Sequence, residues 1–394
     1  MIPRLQPKLE AHLEAQERFE EIRARYALRA GTRLSDLAYA NFWDRPPEGV
    51  IDALKKTLDV DHRLHLQYTP YGGVTVARRV VAKGLAETHD DAFTWRHVVL
   101  TPGAMAALAV LFRALCRPGD EVAVIVPCWL DYPLYLEELG VRPVFVPVMP
   151  RTHRLDLEAL SGAISDRTRA VVLSQPANPT GVVHRPNELA ALATLLAEKE
   201  ERFGKPIALI SDECHRDVVF PPTTFTSPLQ HHPFTFVVYS LGKRLGMQGQ
   251  RIGYVAVPPR VSDADEIVRT LSRLCRAMGI STPTALMQLA LHDLLEVKPD
   301  LSSTVDRRAR MLWALEQAGY EVQPSEGTFF LYPATPGDDD FAFTEALASR
   351  GVLVIPAPVF HHHGHFRVSL TASDEMIDRA LAVLSEARHL GRSR

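Results

Sequence analysis

Short apolar runs alternate with longer amphipathic stretches through the middle of the chain. Such runs lie at residues 98–100, 122–126, 144–148, 170–173, 207–210, 236–239 and 252–257. Continuous apolar runs are typical of strands that are buried on both faces. The pattern therefore predicts an α/β fold with a mostly parallel, seven-stranded sheet and helices on both faces. Pro147 has no N–H to donate, so the third run is expected at the edge of the sheet.

Helical patterns dominate the two ends of the chain. Residues 4–28 predict an exposed amphipathic helix, which could pack on its own lobe or reach a partner subunit as an arm. Strands are expected within residues 320–333 and 352–355. Further helices are expected at residues 48–58, 74–88, 263–278, 283–295, 301–318, 341–350 and 374–387. We therefore expect a large domain of residues 60–280 and a smaller α+β domain built from residues 1–59, with the helical arm, and 281–394.

Length and charge exclude several classes of protein. A chain of 394 residues is long for a single core, and its net charge of -3 gives no basic surface for nucleic acid or an anionic membrane. No apolar run approaches the roughly 20 residues that cross a bilayer, and the first residues lack a secretory signal. The four cysteines lie far apart, which favours reduced thiols in a cytoplasmic protein.

A glycine-rich loop joins the last two predicted strands and carries one lysine and one arginine. Lys243 follows a strand end among small residues, where loss of solvent lowers an amine's pKa and frees it to attack a carbonyl. Arg251, with Ser240 nearby, suits a phosphate because its planar fork can donate two hydrogen bonds. An aldehyde and a phosphate on one ligand suggest pyridoxal phosphate (PLP).

Other polar residues follow predicted strands, at the sheet edge where ligands of such folds bind. Asn178 lies in the turn Asn-Pro-Thr-Gly, and Asp212 ends a buried strand, where its charge needs a cation such as a pyridine nitrogen. Trp129 offers a flat face to a ring, although a core tryptophan is the commoner case. A helix N-terminus able to hold an anion begins at Gly103, Ala104 and Met105.

The pattern S-x-x-K-x5-G-x-R-x-G-Y from Ser240 to Tyr254 resembles the lysine segment of PLP-dependent aminotransferases of class I and II. The order of Asn178, Asp212, Lys243 and Arg251 is similar to that of the aspartate aminotransferase family, of PLP fold type I. The resemblance covers about residues 35–390. It implies an enzyme that moves the amino group of an L-amino acid to a 2-oxo acid through a Schiff base on Lys243.

The resemblance also implies roles for the other site residues. Asn178 and His215 would contact the phenolic oxygen of the cofactor, Asp212 its ring nitrogen, and Trp129 its ring face. Gly103, Ala104, Met105, Ser240 and Arg251 would hold the phosphate. Tyr68 would reach the phosphate of the neighbouring subunit, which makes the expected assembly a homodimer with shared active sites. Arg367, in Phe-Arg-Val-Ser-Leu-Thr, would bind the substrate carboxylate beside Asn178, Trp129 and Ala40.

Two positions depart from the family pattern and leave the reaction open. His215 stands where these aminotransferases usually have tyrosine, and Ala40 stands where they have glycine. The sequence Asp-Glu-x-His is closer to the carbon–sulfur β-lyases of the same fold, so β-elimination or other PLP chemistry at Cα is the alternative. A silent PLP-binding regulator is a third possibility, but no basic DNA-binding segment is visible.

The sequence does not identify the side chain of the substrate. A second carboxylate on the substrate would need another cation, and the candidates are Arg273, Arg276 and His65. The histidine-rich tract 361–365 lacks the spacing of a metal site, and we expect a polar loop beside Arg367 with no metal.

Overall fold

The computed structural model describes residues 6–59, 66–89 and 92–388. Its largest sheet has seven strands in the order β2-β8-β7-β6-β5-β3-β4, and this confirms the α/β fold class. All neighbouring pairs are parallel except those of β8, which is antiparallel to β2 and β7. The strands are β2 (Val98–Thr101), β3 (Glu121–Val126), β4 (Arg142–Pro147), β5 (Thr168–Ser174), β6 (Ala208–Asp212), β7 (Thr235–Ser240) and β8 (Gly253–Ala256). Strand β4 lies at the edge, as Pro147 predicts.

Helices cover both faces of this sheet because successive strand residues point in opposite directions. Val124 and Ile210 pack in one apolar cluster, whereas their neighbours Ile125 and Leu209 pack in another. The helices of the sheet region are α3 (Thr75–His89), α4 (Ala104–Leu115), α5 (Tyr132–Glu138), α6 (Leu157–Ala163), α7 (Pro186–Phe203), α8 (Leu241–Arg244), α9 (Ala264–Ala277), α10 (Ala285–Leu289) and α11 (Leu291–Glu296).

A second, smaller α+β unit draws residues from both ends of the chain. One apolar cluster joins Leu37 to Leu331, Phe366 and Leu384. The helices of the two chain ends are α1 (Pro7–Ala30), α2 (Glu48–Asp59), α12 (Ser302–Gln317), α13 (Asp340–Ser349) and α14 (Asp374–Ala387). The strands of the smaller unit are β1 (Ser35–Asp36), β9 (Phe330–Leu331), β10 (Val352–Leu353), β11 (Ile355–Pro356) and β12 (Phe366–Ser369). Helix α2 packs instead against the cluster of α3 and α11. Domain boundaries at 59/60 and 280/281 stay a prediction.

Helix α1 packs along its own chain. Phe19 and Ile22 are buried in a cluster with Phe341 and Phe360. No helix among the described residues has the length and apolar character needed to cross a membrane. The four cysteines are free thiols, and three of them are buried.

Two stretches differ from the prediction. Residues 283–295 form two short helices, and within residues 320–333 only Phe330–Leu331 forms a strand. The backbone N–H groups of Glu326 and Gly327 donate to the carbonyl of Gly181, and that of Thr328 donates to Val218. Because these backbone N–H groups are already bonded to loops of the large sheet, residues 326–328 do not extend the strand Phe330–Leu331. This attachment brings the two units together beside Asn178.

Candidate active site

A cavity of about 330 Å³ opens where strands β5, β6 and β7 end. Residues of both units line it, at the sheet edge where ligands of parallel sheets bind. It brings together most of the residues singled out from the sequence: Ala40, Ala104, Met105, Trp129, Asn178, Asp212, His215, Ser240, Lys243, Arg251 and Arg367. Gly103 lies behind Arg251, and Tyr68 lies outside the cavity.

Lys243 lies one turn after Ser240, the last residue of strand β7. No hydrogen bond or ion pair engages its amine within the described ranges. Burial, helped by Arg367 and Arg251 and opposed by Cys214 and Asp212, lowers the pKa of Lys243 to about 8. The amine is therefore neutral, and able to attack a carbonyl, at a far lower pH than an ordinary lysine.

Asp212 is held in one orientation at the end of strand β6. Its Oδ2 accepts a hydrogen bond of 2.6 Å from the hydroxyl of Tyr132, and its Oδ1 accepts one of 3.1 Å from the backbone N–H of Cys214. Burial and the neighbouring carboxylate raise the pKa of Tyr132, so the phenol stays a donor. Both carboxylate oxygens are thus fixed by donors, as a partner for a protonated ring nitrogen must be.

One side of the cavity combines a helix N-terminus with an exposed arginine. Helix α4 begins at Ala104, directly after Gly103, and the guanidinium of Arg251 lies against Gly103. Arg251 Nη1 donates to the carbonyl of Gln248 at 2.5 Å, which leaves its outer face free. Ser240 is buried beside it. Free N–H groups, a hydroxyl and a guanidinium together form an anion site.

Gly103 is required on both conformational and steric grounds, because its φ is +84° with ψ 177° and a Cβ there would collide with Arg251. We expect Gly103→Ala to lower the free energy of unfolding by about 1–3 kcal/mol, since this backbone region is open almost only to glycine. It should also displace Arg251 and weaken inorganic phosphate binding. Urea unfolding and a phosphate titration measure both effects.

Gly162→Ala is the matched control for that substitution. Gly162 lies in helix α6 with ordinary backbone angles, and a Cβ there would meet no atom within 4 Å. It should be neutral or slightly stabilising, because alanine favours a helix over glycine. Equal unfolding curves and phosphate affinities for the two variants would contradict the role assigned to Gly103.

Arg367 is a buried arginine that lines the cavity. Its Nη1 donates to Asn178 Oδ1 at 3.0 Å, its Nη2 donates to the carbonyl of Ala38 at 2.8 Å, and its Cζ lies 4.0 Å from the ring centre of Phe330. In the part of the chain that the structure covers, no acidic side chain pairs with it. Burial lowers the pKa of Arg367 to about 9 against the opposing effect of Tyr39 and Tyr332, and what the buried guanidinium needs is an anion. A substrate carboxylate would supply it.

His215 is buried at the cavity wall, and neither of its ring nitrogens has a hydrogen-bond partner among the residues that the structure describes. Phe329 and Phe330 meet its ring edge-on. Burial, helped by Lys243 and Arg367, holds the pKa of His215 well below its ordinary value, so the ring is neutral. A neutral imidazole has one donor and one acceptor, and both remain available to a ligand.

Several cavity residues were not singled out from the sequence. Tyr132 does not line the cavity itself but donates to Asp212, and its local signal is that it follows Trp129 by three residues after a strand. Gln248 donates to the carbonyl of Ala40 at 2.9 Å and so links the loop of Lys243 to the smaller unit. Gln16, Tyr39, Leu130, Asp131 and Phe330 also line the cavity. Gln16, Tyr39 and Phe330 come from segments that are distant from the sheet loops in sequence, so no local pattern predicts them at the site.

Tyr68 is 99% exposed and faces solvent outside the cavity. Arg273 and Arg276 lie on helix α9 and do not line the cavity, and His65 lies outside the described residues. In the histidine-rich tract, His362 and His365 pack against Tyr332 and His153. Among the described residues, no group of three or more side chains could hold a metal ion.

The chain resembles known proteins over nearly its whole length. The family model for aminotransferase class I and II matches residues 32–384. The aspartate/prephenate aminotransferase of Thermus thermophilus is 30% identical over 358 residues, which covers 88% of each chain. The crystal structure of an amino transferase from Eubacterium rectale superposes with a TM-score of 0.91 at 27% identity, and covers 99% of this chain and 100% of that one.

A second solved structure agrees with the first. Thermus thermophilus aspartate aminotransferase with maleate gives a TM-score of 0.84 at 27% identity, and covers 98% of this chain and 100% of that one. The chain therefore belongs to the aminotransferase class I and II family. It is an aminotransferase, and its fold is fold type I. These names support amino transfer, the main interpretation of the sequence, rather than the alternative of β-elimination.

Proposed function

We propose that this aminotransferase carries pyridoxal 5′-phosphate, bound covalently through Lys243, and moves the amino group of an L-α-amino acid to a 2-oxo acid. The observation that carries the proposal is the cavity itself. In it a lysine amine and a buried arginine, neither of them paired with an acidic side chain of the described residues, share one space of about 330 Å³ with a fixed carboxylate.

The residues present fit this cofactor. Gly103 leaves room for Arg251 beside the N-terminus of helix α4, which suits a phosphate. Both ring nitrogens of His215 lack partners, and its neutral ring can donate to a phenolic oxygen. Asp212 can keep a pyridine nitrogen protonated, and Trp129 offers a partly exposed ring as a wall. Once bound, the protonated ring withdraws electrons from the substrate's Cα.

Side chains of the protein would bind the substrate and transfer the proton. Arg367 would bind the substrate carboxylate with its planar fork, while Asn178 and the carbonyl of Ala38 hold that fork in place. Neutral Lys243 Nζ would accept the Cα proton and later return it to a neighbouring carbon. His215 and Asn178 would fix the orientation in which the Cα–H bond faces Lys243.

We also propose that the working unit is a homodimer. Tyr68 is 99% exposed and Leu66 is 83% exposed in the single chain, and Met105 reaches from the cavity to the surface. Large apolar side chains around an opening suit cover by a second copy. Tyr68 of one copy would then complete the phosphate site of the other.

The proposed reaction is tested by product analysis of the protein loaded with pyridoxal phosphate. With an L-amino acid and a 2-oxo acid, we expect one new amino acid and one new 2-oxo acid in equal amounts and no ammonia. Initial rates should give the parallel lines of a ping-pong mechanism. Release of ammonia when no 2-oxo acid is added would contradict amino transfer and would favour β-elimination.

Covalent uptake of pyridoxal phosphate should depend on pH through Lys243. Burial holds the pKa of Lys243 at about 8. Only the neutral amine attacks the aldehyde, so the uptake rate should be half-maximal near pH 8 and fall about ten-fold for each pH unit below it. Stopped-flow absorbance of the apoprotein measures this profile. Uptake that keeps rising to pH 10, as with free Nα-acetyllysine, would contradict the lowered pKa.

A further inference from the structure

Gln16 of helix α1 and Asp131, which directly precedes helix α5, form a part of the cavity wall to which the proposed function gives no role. Lys8 and His12 on α1 lie 3.9 Å and 3.8 Å from carboxylate oxygens of Glu137 on α5. This contact holds the two helices side by side. Gln16 follows His12 by one helical turn, and Asp131 precedes the first residue of α5, so both reach the cavity from the same wall.

Asp131 is a half-buried carboxylate on the cavity wall. Although it occupies the N-cap position of α5, its side chain caps no backbone N–H. No hydrogen bond or ion pair to its side chain is present within residues 6–59, 66–89 and 92–388. Burial raises the pKa of Asp131 to about 6. At neutral pH the group is still largely ionised, and a cationic ligand would satisfy it.

The proposed function already gives a role to each lysine and arginine that lines the cavity. Lys243 and Arg251 serve the cofactor, Arg367 serves the α-carboxylate, and no other lysine or arginine of the described chain lines this space. A second carboxylate on the substrate would therefore meet Asp131, a like charge, and the neutral amide of Gln16. An ammonium group would meet an unpaired anion and an amide oxygen instead.

We propose that Asp131, with Gln16, is the side-chain subsite of this aminotransferase and selects L-α-amino acids whose side chains end in a cation. The proposal rests on the proposed function, since Arg367 must hold the α-carboxylate to direct the side chain toward Asp131. It separates this chain from its relatives that are named for aspartate and prephenate.

The test is a donor comparison with the protein loaded with pyridoxal phosphate. L-Lysine and L-norleucine differ mainly in the terminal ammonium, and L-glutamate supplies the opposite charge. We expect kcat/KM for lysine to exceed that for norleucine by about ten-fold or more, with glutamate poorest, since a charge-assisted hydrogen bond is at stake. Glutamate as the best donor, or equal values for lysine and norleucine, would overturn the subsite.

Variants localise the effect. Asp131→Asn should reduce the lysine-to-norleucine ratio by about ten-fold or more, and Asp131→Ser should do the same if the first variant folds poorly. Glu138→Gln is the matched control: it removes the same charge from the same helix at a residue outside the cavity that pairs with Arg113. Its ratio should match that of the parent, and an equal fall in the control would refute the assignment to Asp131.

Binding without turnover gives a second readout. Calorimetry should detect tighter competitive binding of 6-aminohexanoate than of hexanoate in the parent protein and equal binding in Asp131→Asn. Equal binding in the parent would contradict the subsite. Failure of the proposed function looks different: no amino acid of any charge would then convert the bound cofactor, in the parent or in Glu138→Gln.

Discussion

Lys243→Ala is expected to abolish amino transfer while the fold persists. The substitution removes the nucleophile that binds the cofactor covalently and the base that accepts the Cα proton. Loss of the general base alone costs about 10²–10⁴ in rate, so the combined fall in kcat should exceed about 10³. The fold should survive because the amine makes no hydrogen bond or ion pair within the described residues. Steady-state kinetics and thermal unfolding measure the two outcomes.

Two further variants sharpen this test. Lys243→Arg keeps the positive charge but not a nucleophilic neutral amine, so it should be as inactive as the alanine variant. Lys83→Ala alters an exposed lysine of helix α3 and should leave kcat unchanged. Transfer retained by either variant of Lys243 would remove the residue from the reaction and with it the proposed mechanism.

Arg367→Lys should raise KM for the amino acid donor by about 100-fold. Lysine keeps the charge but loses the planar fork, so it cannot bind a carboxylate with two parallel hydrogen bonds while also holding Asn178 and the carbonyl of Ala38. Truncating one partner of a buried charge pair costs about 2–5 kcal/mol, which sets the size of the effect. Donor-dependent kinetics at saturating 2-oxo acid measure it.

The matched control is Arg269→Lys, which makes the same change at an exposed arginine of helix α9 that pairs with Glu266. Its KM should equal that of the parent. If Arg367 serves only the packing of Phe330 and Phe360, the lysine variant will lose stability and keep its KM. That split would contradict a carboxylate site at Arg367.

The fold could be predicted largely from the sequence because its signals are local. Each buried strand is a continuous apolar run, and Pro147 alone indicates which strand lies at an edge. Asp212, Ser240 and Lys243 follow strand ends, and parallel strands end at one edge of the sheet. Their convergence in one cavity therefore follows from the α/β pattern itself.

The rest of the site depends on contacts between distant segments. The bond from Arg367 to Asn178 spans 189 residues; the family resemblance places both residues at the substrate, but no local pattern predicts the bond between them. Gln16 reaches the cavity only because helix α1 docks on α5. The strand expected within residues 320–333 is mostly absent because part of its backbone donates hydrogen bonds to the carbonyls of Gly181 and Val218, which are distant in sequence. Local propensity cannot report such tertiary bonds.

The central claim is that Lys243, Asp212 and Arg367 form one site that holds pyridoxal phosphate and accepts an amino group from an L-amino acid. The most direct measurement is the absorbance spectrum of the loaded protein during titration with single amino acids. We predict that the band of the bound aldehyde is replaced by that of pyridoxamine phosphate and returns when a 2-oxo acid is added. A band that stays unchanged with every donor, or that never forms, would contradict the account.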